Sequence, residues 1–249
     1  ISFLADPGET GDAKFLPGFQ DEEARLNINA LNSDNYLILR DLLMVLGVEK
    51  SAASTVAASV ADWKDADNNP TAEPWGAEEE YYAKLDQSYH CKNLPFDSIE
   101  ELSLVRGMTP EILRLLKPYI TVIPKNGNLQ IDFNTASIPV LKALARSVTG
   151  SKTNTDEEDA DSLVRKISDF RNGPDGLPAT DDDQPVEGEK LSLNQKESAI
   201  FQTINNYRVS QSRFFHLHIQ GVAPGGITAT TIDAVVDGAT QVPLYWEEN

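Results

Sequence analysis

The feature that most constrains the fold is a change of hydrophobic period late in the chain. Residues 213–222, 227–236 and 241–246 alternate between apolar and polar side chains, and glycine-containing turns separate them. A period of two is typical of half-buried strands, and short turns between such strands favour antiparallel pairing. Residues 25–31 alternate in the same way and predict one further, half-buried strand near the start.

Helical patterns fill most of the chain between these strands. The sequence predicts helices over residues 36–46, 51–63, 99–105, 110–116, 137–145 and 161–171. A capping box of Ser98 and Glu101 would begin the third helix, and Thr109 followed by Pro110 would begin the fourth. The order of one strand, many helices and three strands indicates an α+β fold, in which a large helical domain is inserted into an antiparallel sheet.

Two blocks of the helical part, residues 96–108 and 132–144, look like helix-hairpin-helix units, which usually bind nucleic acid. In the first block the turn around Gly107 would offer backbone amides to a phosphate. Three basic residues are close to it in sequence: Arg106, Arg114 and Lys117. However, 39 acidic residues outnumber 21 basic ones, and a net charge of −18 repels a phosphate backbone. A helical scaffold that does not bind nucleic acid is therefore favoured, and a nucleic-acid-binding module is the alternative.

The first of two acidic loops begins like a calcium-binding loop. Asp65 and Asp67 place oxygen donors at alternate positions, as hard cations prefer. The loop is not an EF-hand, because Pro70 stands where that motif requires glycine and Gly76 stands where it requires glutamate. Glu78 could supply a later carboxylate, so the loop is a candidate calcium site.

A second acidic loop offers Asp175, Thr180, Asp181 and Asp183 as candidate ligands. Clustered carboxylates repel one another, and a hard divalent cation relieves that repulsion. For both loops the alternative interpretation is a solvated acidic segment without a metal. The sequence leaves open which loop binds calcium.

Other residues give weaker indications. His216 and His218 would fall on one face of a strand, a spacing compatible with zinc, but the sequence shows no third ligand. The one cysteine, Cys91, cannot form an internal disulfide. The motifs of serine hydrolases, P-loop proteins and zinc proteases do not occur in the sequence. A calcium-dependent secreted hydrolase is a further alternative for which no catalytic set can be named.

Several short motifs follow one another along the chain. They lie at residues 26–31, 62–67, 76–82, 92–96, 101–107, 134–141, 212–215 and 242–246. Each motif is weak by itself, but their ordered succession is specific, and the pattern resembles the minor pseudopilin K (GspK) family of bacterial type II secretion systems.

The resemblance implies a pilin-like sheet with a large inserted helical domain, in a non-catalytic structural protein at the tip of the secretion pseudopilus. It implies a complex with the minor pseudopilins I and J, bound calcium, and a periplasmic location in a Gram-negative bacterium. The family's hydrophobic N-terminal helix and prepilin leader are missing from this sequence. Anchoring in the inner membrane is therefore expected only of a longer precursor.

The expected domain organisation follows the same pattern. Residues 1–31 would form the first part of the pseudopilin domain, and residues 32–125 the inserted helical domain. Residues 126–249 would hold the remaining helical segments and the C-terminal pseudopilin sheet.

Overall fold

The chain folds as two units of unequal size. The computed structural model describes residues 3–4, 15–16, 19–150, 153–209, 211–223 and 227–248. One unit is formed by residues 24–209, and the other by residues 1–23 together with 210–249. The predicted boundaries were residues 31 and 125, whereas the contacts divide the chain at residues 23 and 209.

The larger unit is helical. In the described residues its helices are α1 (Leu37–Val45), α2 (Lys50–Lys64), α3 (Glu79–Tyr82), α4 (Pro110–Leu116), α5 (Ile138–Ser147), α6 (Glu157–Arg171) and α7 (Gln195–Ile204). Their apolar faces build one hydrophobic core, in which Leu39, Leu42, Val60 and Leu141 are fully buried. The unit continues past residue 125 because Ile131 is fully buried in this core and bridges to Arg208.

The described strands are short in the helical unit and long near the C-terminus. They are β1 (Phe3–Leu4), β2 (Phe15–Leu16), β3 (Gln20–Asp21), β4 (Leu26–Asn27), β5 (Ile120–Thr121), β6 (Phe214–Ala223), β7 (Ile227–Asp237) and β8 (Val242–Glu248). An antiparallel sheet has the order β3-β6-β7-β8, so the predicted C-terminal meander is confirmed. β1 pairs with β2 in a separate antiparallel ribbon.

Side-chain caps begin several of the helices. Glu49 caps α2, and Asp156 and Asn194 form complete capping boxes at α6 and α7. At α4 the side chain of Thr109 accepts the backbone N–H of Ile112, which confirms the predicted start of that helix.

The strand predicted over residues 25–31 is wrong in extent. Only residues 26–27 (β4) form a strand in this range, and β4 pairs in parallel with β5, while residues 28–30 form a 3-10 helix. The apolar and polar residues alternate here, but the polar residues Asn27 and Asn29 are buried as well, so the alternation does not report a half-buried strand. The Asn29 amide points inward, where its Nδ2 donates to the carbonyls of Phe96 (3.0 Å) and Val122 (2.8 Å).

The structure does not confirm the helix-hairpin-helix units. The helix predicted over residues 99–105 is a 3-10 helix, Glu100–Leu104, and the capping box predicted at its start is not formed. The Glu101 carboxylate instead binds Lys92 Nζ (2.8 Å) and Trp63 Nε1 (3.1 Å). In the second block a turn precedes α5, and no helix is described between residues 120 and 137.

Within the described residues, the structure contains no helix that is both long enough and apolar enough to span a membrane.

Replacing Asn29 by Ala should lower the free energy of unfolding by about 2–4 kcal/mol, because three buried backbone groups would lose their hydrogen-bond partner. These groups are the carbonyls of Phe96 and Val122 and the N–H of Phe96, which donates to Asn29 Oδ1 at 2.8 Å. Urea denaturation measures the change. Asn206→Ala, at an exposed position, is the control and should stay within about 0.5 kcal/mol. Equal effects of the two substitutions would contradict the assigned role of Asn29.

Candidate metal centre

The C-terminal end of α2 carries a buried carboxylate that organises the loop after it. Asp62 is fully buried. Its Oδ1 accepts the backbone N–H of Thr71 (2.7 Å) and its Oδ2 accepts that of Ala77 (2.6 Å). One side chain therefore fixes two distant points of the loop that follows the helix.

Gly76 makes this close approach feasible. A Cβ atom at this position would lie 2.2 Å from Asp62 Oδ2 and 3.0 Å from the Pro70 Cβ. Any side chain larger than hydrogen would therefore push the carboxylate away from Ala77. The glycine that excludes an EF-hand at this position is a requirement of the different loop that forms here.

Asp62, Asp65 and Glu78 come together at this loop. Each offers one oxygen atom, and these three atoms lie within 4.8 Å of one another, the one such group of acidic, histidine or cysteine side chains found in the described residues. Oδ1 of Asp65 and both carboxylate oxygens of Glu78 are buried without a hydrogen-bond partner in the described structure. Buried unsatisfied oxygens are costly, so the arrangement favours a ligand that supplies positive charge.

The electrostatics of the cluster agree with this geometry. The pKa of Glu78 is raised to about 8. Burial is the largest cause, and the negative charges of Asp62, Asp65 and Asp67 contribute the rest. Burial is also the main cause that raises the pKa of Asp62 and of Asp65. Without a cation, the cluster therefore holds protons that carboxylates usually release.

The donor set fits calcium. Three carboxylates in an irregular loop supply hard oxygen atoms, and calcium accepts six to eight such ligands in flexible geometry. Asp62, Asp65 and Glu78 would hold the ion, and its charge would replace the protons that the raised pKa values indicate. The ion would join α2, the loop and the first residue before α3.

The predicted ligands of the first loop are only partly brought together. Asp65 and Glu78 join the cluster, while Asp67 lies outside it and its Oδ1 accepts the N–H (2.7 Å) and Nδ2 (3.0 Å) of Asn69. Asp62 was not predicted as a ligand. Its position on the buried face of α2, next to Trp63, is the signal that could have identified it.

The predicted ligands of the second loop form no comparable cluster in the described residues. Asp175 Oδ1 accepts the backbone N–H of Leu177 (2.8 Å), and Asp183 Oδ2 accepts that of Ala179 (2.7 Å). Thr180 Oγ1 donates to Asp182 Oδ1 (2.6 Å). In this part of the structure, no group of three acidic, histidine or cysteine ligand atoms that could hold an ion includes Asp175, Asp181 or Asp183.

Two of the three basic residues near Gly107, Arg106 and Lys117, have structural partners. Arg106 Nη1 donates to the carbonyls of Gly76 (2.8 Å) and Pro74 (3.3 Å), and its guanidinium lies 4.8 Å from the centre of the Tyr81 ring. Lys117 pairs with Glu100 (2.7 Å). Arg106 therefore braces the candidate metal loop, and this use of its guanidinium does not favour the nucleic-acid alternative.

Comparisons with a family model and with curated proteins point to the same family. Residues 24–125 match the family described as Type II secretion system (T2SS), protein K. The type II secretion system protein K of Pseudomonas aeruginosa is 33% identical over 141 residues, covering 54% of this chain and 41% of that protein. The protein K of Pectobacterium carotovorum subsp. carotovorum is 34% identical over 160 residues, covering 58% of this chain and 46% of that protein.

A solved structure shares the fold. It is a crystal structure of the GspK-GspI-GspJ complex of the type 2 secretion system from enterotoxigenic Escherichia coli, matched with a TM-score of 0.65 at 19% sequence identity. The match covers 93% of this chain and 78% of the matched chain.

Residues 24–125 match the type II secretion system protein K family, the family that the sequence pattern resembles. The family match begins at residue 24, where the helical unit also begins, and it includes the whole Asp62–Asp65–Glu78 cluster. The aligned segments span less than half the length of the curated relatives described above.

The raised pKa of Glu78 predicts how stability depends on pH. A group with a folded-state pKa of about 8 binds protons more tightly than in the unfolded chain, where glutamate titrates at about 4.3. In EDTA, the contribution of Glu78 to the free energy of unfolding should therefore be highest near pH 4 to 5. It should fall as the pH rises toward about 8. Excess calcium should remove the fall, because the cation replaces the proton.

Thermal melts of wild type, Glu78→Gln and Glu80→Gln across this range measure the effect. Glu78→Gln should flatten the dependence in EDTA, while Glu80→Gln, at an exposed position two residues away, should retain it. An unchanged slope in Glu78→Gln would contradict the assignment.

Proposed function

We propose that this chain is a minor pseudopilin that acts as a non-catalytic structural component of a type II secretion system. The observation that carries the proposal is the family match over residues 24–125. This match begins at residue 24, where the helical unit also begins. The shared fold with a chain of the GspK-GspI-GspJ complex supports it. The nucleic-acid-binding and hydrolase alternatives have no comparable support.

The proposed partners are the minor pseudopilins I and J, and the proposed place is the tip of the pseudopilus in the periplasm. A filament of pilin-like subunits repeats one packing. A helical unit of residues 24–209, inserted between strands β3 and β6, would obstruct that repeat and so suits a terminal position. Anchoring of a longer precursor in the inner membrane remains part of the same proposal.

The sheet unit is the proposed assembly surface. β8 is an edge strand of the described sheet, and its side chains are exposed along the whole strand. Val242, Leu244 and Trp246 are exposed to 51%, 47% and 57%. Large apolar side chains on an edge strand commonly mark a protein interface, because they lower the free energy of association when a partner covers them.

We also propose calcium as the bound cation, held by Asp62, Asp65 and Glu78. The orphaned oxygens of Asp65 and Glu78 support this assignment over the second loop. The role of the ion would be structural, since it would join the end of α2 to the start of α3 and neutralise a buried cluster of negative charge.

Calcium should raise the melting temperature of the protein. A ligand at 100 times its Kd stabilises by about 2.7 kcal/mol, which corresponds to a shift of roughly 5–10 °C for a domain of this size. Scanning calorimetry in EDTA, in calcium and in magnesium measures the shift, and magnesium should give less because it demands strict octahedral geometry. Asp65→Asn with Glu78→Gln should abolish the calcium shift.

The matched control for this experiment is Asp181→Asn with Asp183→Asn in the second loop, which should keep the shift. If only the second-loop variant loses it, the assignment to the first loop is wrong. If neither the wild type nor any variant shows a higher melting temperature in calcium, the calcium proposal as a whole is wrong.

Substitutions on β8 should weaken assembly. Leu244→Glu with Trp246→Glu places two charges on the exposed apolar strand and should reduce co-purification with pseudopilins I and J by at least about tenfold, equivalent to 1.4 kcal/mol. The control is Leu94→Glu with Leu115→Glu, which changes two leucines of the helical unit that are exposed to 60% and 42%. The opposite pattern, in variants with wild-type circular dichroism, would move the interface to the helical unit. Failure of the wild type to bind either partner would contradict the proposed function.

A further inference from the structure

Two histidines of β6 lie side by side on one face of the sheet. His216 and His218 are separated by one residue, so their side chains point to the same side, about two strand rises apart. On the neighbouring strand β7, Asp233 lies directly opposite His218 and diagonal to His216. Directly opposed residues of an antiparallel pair are close enough for their side chains to interact.

Both rings contact the same carboxylate oxygen. His218 Nδ1 lies 2.7 Å from Asp233 Oδ1, and His216 Nε2 lies 3.4 Å from that atom. His216 Nε2 is buried and has no hydrogen-bond partner in the described structure. The folded sheet thus supplies the third ligand type that the sequence pattern of the two histidines lacked.

A second carboxylate lies behind His216. Glu22, which follows β3, is almost fully buried, and its Oε1 lies 3.6 Å from His216 Nδ1. At 3.6 Å the contact is longer than a hydrogen bond, so Glu22 acts on the ring through its charge. A nearby carboxylate favours the proton on that nitrogen and leaves the other nitrogen as an electron-pair donor. This arrangement directs His216 Nε2 toward Asp233 as a ligand.

We propose that His216, His218 and Asp233 bind a divalent transition metal, preferably zinc, and that Glu22 is a positioning residue. Imidazole nitrogen prefers zinc to calcium, so this site is distinct in chemistry from the carboxylate cluster of the helical unit. Two histidines and one carboxylate leave the fourth tetrahedral position for water or for a residue of a partner.

The exposure of these side chains suits entry of an ion. His216, His218 and Asp233 are exposed to 26%, 42% and 30%, so solvent reaches the cluster. The three ligand atoms do not all lie within 4.8 Å of one another, so the proposal requires the two rings to turn when they share one ion. The inference does not depend on the proposed role in secretion or on calcium, because every residue involved lies in the sheet unit.

Titration with Co²⁺ tests the proposal by a signal specific to nitrogen ligation and tetrahedral geometry. The protein is first saturated with calcium to occupy the acidic cluster. We expect visible d–d absorption bands that saturate at one Co²⁺ per chain and disappear when one equivalent of Zn²⁺ displaces the cobalt. His216→Gln, His218→Gln and Asp233→Asn should each abolish the bands.

The third histidine of the chain provides the control. His90 lies in the helical unit, 2.7 Å from Glu79, and its substitution in His90→Gln should leave the bands unchanged. Glu22→Gln should weaken Zn²⁺ affinity by about 10–100-fold while the bands remain, as expected for a residue that orients a ligand. Circular dichroism confirms that each variant is folded.

Absence of the bands in the wild type would overturn the proposal and leave the cluster as a hydrogen-bonded ion pair. Bands that survive in both His216→Gln and His218→Gln, or that vanish in His90→Gln, would place the metal elsewhere. A Glu22→Gln variant with unchanged affinity would remove the positioning role but leave the three-ligand site.

Discussion

The carboxylate of Asp62 is the interaction on which the organisation of the helical unit's acidic loop depends. It accepts backbone N–H groups from Thr71 and Ala77, so the chain must pass the end of α2 twice. Gly76 allows the second passage by leaving no atom where a Cβ would collide with the carboxylate. Arg106 Nη1 also donates a hydrogen bond to the carbonyl of Gly76. A single buried charge thereby determines where Glu78 and the start of α3 are placed.

This arrangement concentrates negative charge that the described side chains neutralise only weakly, through the charge of Lys64 near Asp65. No salt bridge in the described residues joins Asp62, Asp65 or Glu78 to a lysine or arginine, and Arg106 binds carbonyls instead of these carboxylates. Burying carboxylates without a counter-charge is expensive, so such groups either take up protons or bind a cation. The raised pKa of Glu78 reflects the first outcome, and the proposed calcium ion would be the second. The same three residues would then respond to both pH and calcium.

How far the sequence predicted this structure depends on what each residue packs against. The C-terminal meander was predictable because its alternating apolar and polar residues correspond to the two faces of a sheet. Helix α4 was predictable because Thr109 caps its first turn and Pro110 stands at its first position. Residues 26–31 alternate for a different reason, since the asparagines between the apolar residues are buried and hydrogen-bonded. In the second acidic loop, the backbone N–H groups of Leu177 and Ala179 satisfy carboxylates that looked available. Asp62 was missed as a ligand because an aspartate is usually exposed, although its place beside Trp63 on the buried face of α2 could have identified it.

The insertion of the helical unit depends on how the sheet unit holds the chain on either side of it. β3 pairs with β6, so Asp21 lies opposite Phe215 although the whole helical unit, residues 24–209, separates them in sequence. Ser212 Oγ donates to Asp21 Oδ2 (2.6 Å), and the backbone N–H of Arg213 donates to the Glu23 carboxylate. The entropy of closing a loop grows only slowly with its length, so a large folded insertion costs little once these two ends are joined. A cation bound within residues 62–78 would therefore stabilise the helical unit without requiring any change in the sheet. The proposed calcium site and the proposed assembly strand β8 therefore belong to separate units of one chain.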